Sequence, residues 1–334
     1  EIILINNSNF FLSFFFFFGK FMKILVTGGC GYKGHVLIPK LLNNGHEVIA
    51  FDIQWFGNFL NPHSNLKVVK GDVRNIDEIP LEGVECIIHL ASIANDPCGD
   101  LNPKLTWEVS ALATMQLADQ AKRHGVKRFI YASSGSVYGV KEEENVTEDL
   151  ELDPISEYNK TKMVAERVLL SYQGDMIVQI IRPATVCGYS PRMRLDVSVN
   201  LLTMHALSKG KITVFGGAQI RPNIHIDDIT DLYIHFINHP EFVGVYNAGF
   251  ENISILKIAQ MVTEILPVEI EVIESSDPRS YRVNSDKVLA TGFTPKKGVR
   301  DAISEIVEKY NSGILKDEEK FYNLKWMQTN ELFN

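Results

Sequence analysis

"ILVTGGCGYKGH", Ile24 to His35, decides the fold class of this chain. A short apolar run enters a glycine cluster, and a helical pattern from Tyr32 to Asn43 leaves it. Gly29, Gly31 and Gly34 satisfy G-x-G-x-x-G, and Gly28, Gly31 and Gly34 satisfy the wider G-x-x-G-x-x-G. Bare glycines let a backbone turn sharply and approach a pyrophosphate, which then rests on the helix N-terminus. Asp52 closes the next apolar run, "EVIAFD", eighteen residues beyond Gly34. A carboxylate there accepts the ribose hydroxyls of NAD and repels the extra phosphate of NADP. Tyr32 and Lys33 complete the cofactor loop, and the Lys33 cation could instead hold that phosphate.

The alternation continues outward. "LKVVKGD", "VECIIHLA", "KRFIYASS" and "MIVQIIRP" read as further strands, with "LTWEVSALATMQLADQAKRHG" and "SEYNKTKMVAERVLLSY" as long helices between them. Apolar runs alternating with amphipathic helices imply parallel strands with right-handed crossovers, an α/β doubly wound sheet. Beyond about Pro183 the rhythm weakens into loops and short helices. The expected organisation is a dinucleotide-binding Rossmann domain over 22–183. A smaller substrate lobe over 184–334 returns some segments to it. Asp72 and Val73 in "KGDVRN", with Leu90 and Ala91 in "HLAS", fall at the carboxyl edge of the sheet beside the cofactor.

The chain has 334 residues, 45% hydrophobic and 22% charged, with a net charge of -8. That suits a soluble globular protein and argues against a nucleic-acid partner, which calls for a basic face. Cys30, Cys86, Cys98 and Cys187 form no CxxC and no metal-ligand pattern, so reduced thiols in a cytoplasmic protein and no metal are expected. Residues 1–21 contain five consecutive phenylalanines and no basic n-region. They read as a non-native leader ahead of a start at Met22, with an unbroken apolar part too short for a membrane span. No membrane partner is expected.

"EYNKTKMVAE" places Tyr158 and Lys162 four apart on one helix face. A lysine ammonium beside a phenol favours phenolate and lowers its pKa, which makes the tyrosine usable as a base. Upstream, "FIYASSGSVYG" runs a buried strand into very small side chains, as an active-site floor would.

Together "TGGCGYKG", "GDVRN", "HLAS", "YASSGSVYG", Tyr158-x-x-x-Lys162 and "RPNIHIDD" occur in the order found in extended short-chain dehydrogenases/reductases. Over about Met22 to Ile306 the chain resembles their nucleotide-sugar epimerase/dehydratase branch, with UDP-glucose 4-epimerase-like proteins the pattern it follows. The resemblance implies a catalytic triad of Ser134, Tyr158 and Lys162, bound NAD and a nucleotide-diphosphate sugar as substrate. It implies Ser92, Asn95 and Ser134 facing the sugar, and Asn200, Arg221 and Arg279 meeting its phosphates. Dehydrating members carry an Asp-Glu pair after the hydroxyl residue, and decarboxylating members carry a Glu. Gly135 and Ser136 stand there in this chain, which implies a 4-epimerase-like reaction. The resemblance further implies a homodimer through Ala111–Lys122 and Tyr158–Leu170 and a role in polysaccharide biosynthesis. The alternatives are a reductase or dehydratase of the same family and, in another class, a non-catalytic NAD-sensing or scaffold protein. Ser110 replaces a usual Asn, Thr185 another, and Lys33 and His35 replace Ile and Ser; His35 is expected on a helix surface.

Overall fold

A computed structural model describes residues 21–275 and 280–333. The expected leader, Phe21 apart, and Arg279 lie outside the described residues. Among the described residues there are twelve strands: β1 Lys23–Thr27, β2 Glu47–Asp52, β3 Leu66–Lys70, β4 Cys86–His89, β5 Arg128–Ala132, β6 Ile177–Pro183, β7 Thr185–Cys187, β8 Lys211–Phe215, β9 Ile220–His225, β10 Gly244–Ala248, β11 Glu251–Ser254 and β12 Glu269–Ile273. Seven of them make one sheet in the order β10-β6-β5-β4-β1-β2-β3. Every pairing in it is parallel. The order reverses between β1 and β4, so a crevice opens there at the carboxyl ends of the strands. β4 and β5 are buried along their whole length, which is why they read as unbroken apolar runs.

Helices cover both faces. Residues Pro103–Arg123 and Glu157–Leu170 pack on one side through Leu105, Leu117, Ala165 and Leu169. Gly34–Asn43 and Ile226–Asn238 pack on the other through Leu37, Ile38, Ile229 and Phe236. The first of these helical runs is not uniform, as the sequence pattern implies. A π-type turn occupies Glu108–Leu112, where the Thr114 hydroxyl donates back to the Ser110 carbonyl at 2.9 Å. Such hydroxyls compete with the regular helical ladder.

The remaining strands form a three-stranded sheet, β11-β9-β7, and a parallel pair, β12-β8. Helices Ser198–Lys209, Ile255–Thr263 and Val299–Asn311 enclose a separate apolar core with β8, through Val199, Ile212, Ile258 and Ile303. A further cluster joins Tyr32 of the glycine loop to Met193, Leu195, Met204 and Phe321. Tyr32 donates to the Gly188 carbonyl at 2.6 Å and accepts from Asn200 Nδ2 at 3.1 Å. The glycine loop is thus pinned to the C-terminal part of the chain. All four cysteines are free and buried. Among the described residues no helix is long and apolar enough to cross a membrane.

Candidate active site

The crevice holds a cavity of about 720 Å³. It runs from Asp52, Trp55 and Asp72 past the glycine loop to Ser134, Tyr158 and Lys162. Gly28 sits at φ +69°, and a Cβ there would lie 2.6 Å from the Ala91 nitrogen. A Cβ on Gly34 would lie 2.1 Å from the Gly29 carbonyl oxygen. The loop therefore tolerates no side chain at either point. We expect Gly28→Ala to lower thermal stability and to weaken NAD binding at least tenfold, measured by calorimetric titration. Affinity within twofold of the wild type would show that the loop relaxes around the methyl group.

The loop and the strand tips suit a dinucleotide. Asp52 Oδ2 accepts from the Cys30 N–H at 3.0 Å and Oδ1 from the Gln54 N–H at 2.6 Å. Burial raises the Asp52 pKa, and those two N–H groups and the charge of Arg192 act against it. The cation beside Asp52 is thus Arg192 from the C-terminal part, stacked 4.0 Å over the Phe56 ring. Lys33 lies further along the cavity. Its neighbouring charges are Arg194 and Lys162, and burial together with Arg194 lowers its pKa to about 8. Asp72 lines the cavity, paired with Arg74 at 2.7 Å, and Val73, Leu90, Ala91, Ser92 and Asn95 line it too. The C-terminal segment closes this end. Asn323 and Met327 reach the cavity, Arg192 donates to Asn323 Oδ1 at 2.7 Å, and Trp326 donates to the Trp55 carbonyl at 2.8 Å.

At the other end, helix Glu157–Leu170 starts at Ser156, whose hydroxyl accepts from the Asn159 N–H at 3.2 Å. Lys162 reaches down this helix to donate to the Ala132 carbonyl at 2.8 Å, with Nζ 5.8 Å from the centre of the Tyr158 ring. Burial and the charge of Lys33 bring the Lys162 pKa down to about 7. Tyr158 differs from the sequence expectation. Its pKa is pushed up to about 12, first by burial and then by Asp96, against a hydrogen bond with Ser134 and the charge of Arg194. A low dielectric disfavours phenolate, and the same burial disfavours the Lys162 ammonium.

Beneath the serine loop lies a buried ion pair. Arg182 donates to Glu166 through Nε at 3.0 Å and Nη2 at 2.7 Å, and to Tyr138 at 2.7 Å. Ser133 donates to the same carboxylate, and Tyr138 donates to Asn247 at 2.8 Å. Both flanks of Ser134 are thereby fixed. Gly135 and Ser136 follow it in a short 3-10 turn, so the acid pair is absent at this point in the structure as in the sequence.

Asn200 falls outside the cavity wall, and His35 is not on a helix surface. Asn200 is fully buried, and its amide is committed to Gly188 N at 3.0 Å, Tyr32 and the Arg194 carbonyl. His35 is buried rather than on a helix surface, because Phe59 folds over it. Nδ1 bonds the Gly31 carbonyl and Nε2 accepts from the Phe59 N–H at 2.9 Å, and burial lowers its pKa to about 4. Arg221 does line the cavity. Sequence reasoning missed Asp96, Asn159, Arg192, Arg194 and Tyr281, all of which line it. Asp96 follows the "HLASIAN" stretch directly and is the one with a sequence signal at hand.

The model of the family described as "NAD dependent epimerase/dehydratase family" matches residues 24–249. The "Uncharacterized UDP-glucose epimerase YtcB" of Bacillus subtilis is 30% identical over 263 residues, 73% of this chain and 82% of that protein. "UDP-glucuronic acid decarboxylase 1" of Arabidopsis thaliana is 28% identical over 90% of this chain and 72% of its own length. Among solved structures, MoeE5 in complex with UDP-glucuronic acid and NAD superposes with a TM-score of 0.77 at 26% identity, covering 87% of this chain and 99% of that one. The glycine loop, the parallel sheet with its crevice and these likenesses agree: the chain belongs to the NAD-dependent epimerase/dehydratase family, a family of enzymes acting on nucleotide sugars.

Proposed function

We propose that the protein is a nucleotide-sugar epimerase that inverts one carbinol carbon by transient oxidation to a keto-sugar and re-reduction. The observation that carries this reading is the convergence of Ser134, Tyr158 and Lys162 on one cavity whose serine loop offers only Gly135 and Ser136 beside them. Tyr158 takes the proton of the sugar hydroxyl, Ser134 hydrogen-bonds the same oxygen, and Lys162 holds the ribose of the nicotinamide half. Gly28, Gly31, Tyr32, Lys33, Gly34, Asp52, Asp72, Val73, Leu90 and Ala91 hold the rest of the cofactor. NAD supplies, when bound, a reversible hydride acceptor and a positive charge within the cavity. That charge favours the Tyr158 phenolate, which burial alone disfavours. Ser92, Asn95 and Arg221 face the nucleotide-diphosphate sugar, and Arg279 is retained as a second phosphate contact. The separate core of Val199, Ile212, Ile258 and Ile303 supports a division at about residue 183, with helix Ile226–Asn238 and β10 returning to the main sheet. The half-exposed Leu112 and Met115, on the helical run expected at a homodimer interface, suit such a contact.

Turnover of a panel of UDP-, GDP- and dTDP-sugars in deuterium oxide tests the reaction. The migrating hydrogen never meets solvent in a simple epimerase, so the product is expected to be inverted at one carbon with no carbon-bound deuterium. NMR and mass spectrometry read both properties. Deuterium on carbon with loss of water would mean dehydratase chemistry and would turn attention to the Asp96 carboxylate. A net change in NADH absorbance would mean a reductase. Absence of any turnover across the panel would favour a sensing or scaffold role.

A further inference from the structure

Ser136 stands where dehydrating and decarboxylating relatives carry an acid, and its hydroxyl is not idle. Asp96 Oδ1 accepts from Asn159 Nδ2 at 2.9 Å and from the Ser156 hydroxyl. A carboxylate only accepts, so it fixes which end of the Asn159 amide faces it. Asn159 Oδ1 therefore turns to Ser136 and accepts its hydroxyl proton. Ser136 has no second proton to give. In its 2.6 Å contact with Ser134, Ser134 must then be the donor. Ser134 Oγ also accepts from the Ser136 N–H at 3.2 Å.

Ser134 has one proton, and Tyr158, its other hydrogen-bond partner in the cavity, is the rival claimant. A phenolate is stabilised when Ser134 donates to it, and a phenol when Ser134 accepts from it. The Asp96–Asn159–Ser136 chain draws the proton away from Tyr158. We propose that Ser136 and Asn159, anchored by Asp96, are positioning residues that claim the Ser134 proton and hold Tyr158 toward its phenol form. The inference rests on Tyr158 being the proton acceptor of the proposed reaction. The chain runs through the Asn159 amide, which passes no proton onward, so it sets the direction of hydrogen bonds and opens no path to solvent.

Other groups facing Tyr158 come from every element around it. They are Asp96, Arg194, Tyr281, Tyr131 of β5, Tyr233 of helix Ile226–Asn238, and Lys162 on its own helix. Substitution at Ser136 leaves all of these charges in place.

The test is a pH titration of the NAD-loaded protein carrying tyrosine labelled with carbon-13 at Cζ, followed by NMR. The Tyr158 resonance is the one lost in Tyr158→Phe. Ser136→Ala frees the Ser134 proton, and the Tyr158 midpoint is expected to fall by about one pH unit. Ser136→Thr keeps the hydroxyl and is expected to titrate with the wild type. Asn159→Ala removes the acceptor without changing charge and is expected to shift the midpoint as Ser136→Ala does. It carries the test if Ser136→Ala folds poorly. A midpoint that is unmoved or raised in the alanine variants, an equal fall in Ser136→Thr, or no Tyr158 titration in any variant would overturn the proposal. No sugar is present, so a failed search for epimerase turnover leaves this outcome separately decided.

Discussion

Tyr158→Phe is expected to lower kcat by about a hundred- to ten-thousand-fold, the span of a general acid–base group, while NAD stays bound. The substitution removes one oxygen. The ring is kept, and so is the close approach of Gly99 to the Tyr158 Cβ, where a Cβ on Gly99 would lie 3.1 Å away. Lys162 is held by the Ala132 carbonyl rather than by the phenol, so its place at the cofactor survives. The glycine loop and Asp52 lie at the other end of the cavity and are untouched. Steady-state kinetics give kcat, and the NAD released on denaturation gives the bound fraction. An equal fall in kcat and kcat/KM would mark an interaction made in the transition state. Turnover within tenfold of the wild type would remove Tyr158 from the role. Loss of bound NAD would assign it to cofactor binding instead.

The elements that place Tyr158 were legible because each carries a local signal. β1 to β6 are apolar runs, with amphipathic helices between β1 and β2, β4 and β5, and β5 and β6, and the glycine loop has a steric requirement that only glycine meets at residue 28. β10 has no such signal. Gly244–Ala248 enters the main sheet beside β6 between helix Ile226–Asn238, which packs on that sheet, and Ile253 and Ile258 of the other core, so its partner cannot be read from spacing. The candidate site divides in the same way. Ser134, Tyr158 and Lys162 sit in recognisable local patterns. Asp96, Asn159 and Arg194 are brought together by two helices and the loop after β7, and no periodicity links their positions. The direction of the Tyr158 pKa was missed for a related reason. Helical spacing brings Lys162 near the ring, but burial, which dominates the shift, is a property of the packed structure. His35 repeats the lesson, since only the loop that reaches Phe59 turns a helix-surface position into an interior one.

Arg182→Met is expected to cost about 3–5 kcal/mol of stability, the range for removing one partner of a buried ion pair. Arg182 and Glu166 are 5% and 2% exposed at their side chains, so water cannot replace the lost guanidinium. The glutamate would be left buried with the Ser133 hydroxyl still donating to it, and Tyr138 would lose the Arg182 guanidinium while keeping Asn247. Those two residues flank Ser134, so the damage reaches the serine loop as well as the core. Urea unfolding of the NAD-free protein measures the cost as a lower midpoint at unchanged slope. The double variant Arg182→Met/Glu166→Leu removes both charges and is expected to recover most of the loss, because apolar packing often equals a buried pair in stability. Its recovered stability should come without recovered turnover, since Ser133 and Tyr138 no longer have their anchors. A loss below about 1 kcal/mol in Arg182→Met, the scale of an exposed pair, would mean that the carboxylate is relieved by protonation or by water. A double variant as active as the wild type would separate the ion pair from the placement of Ser134.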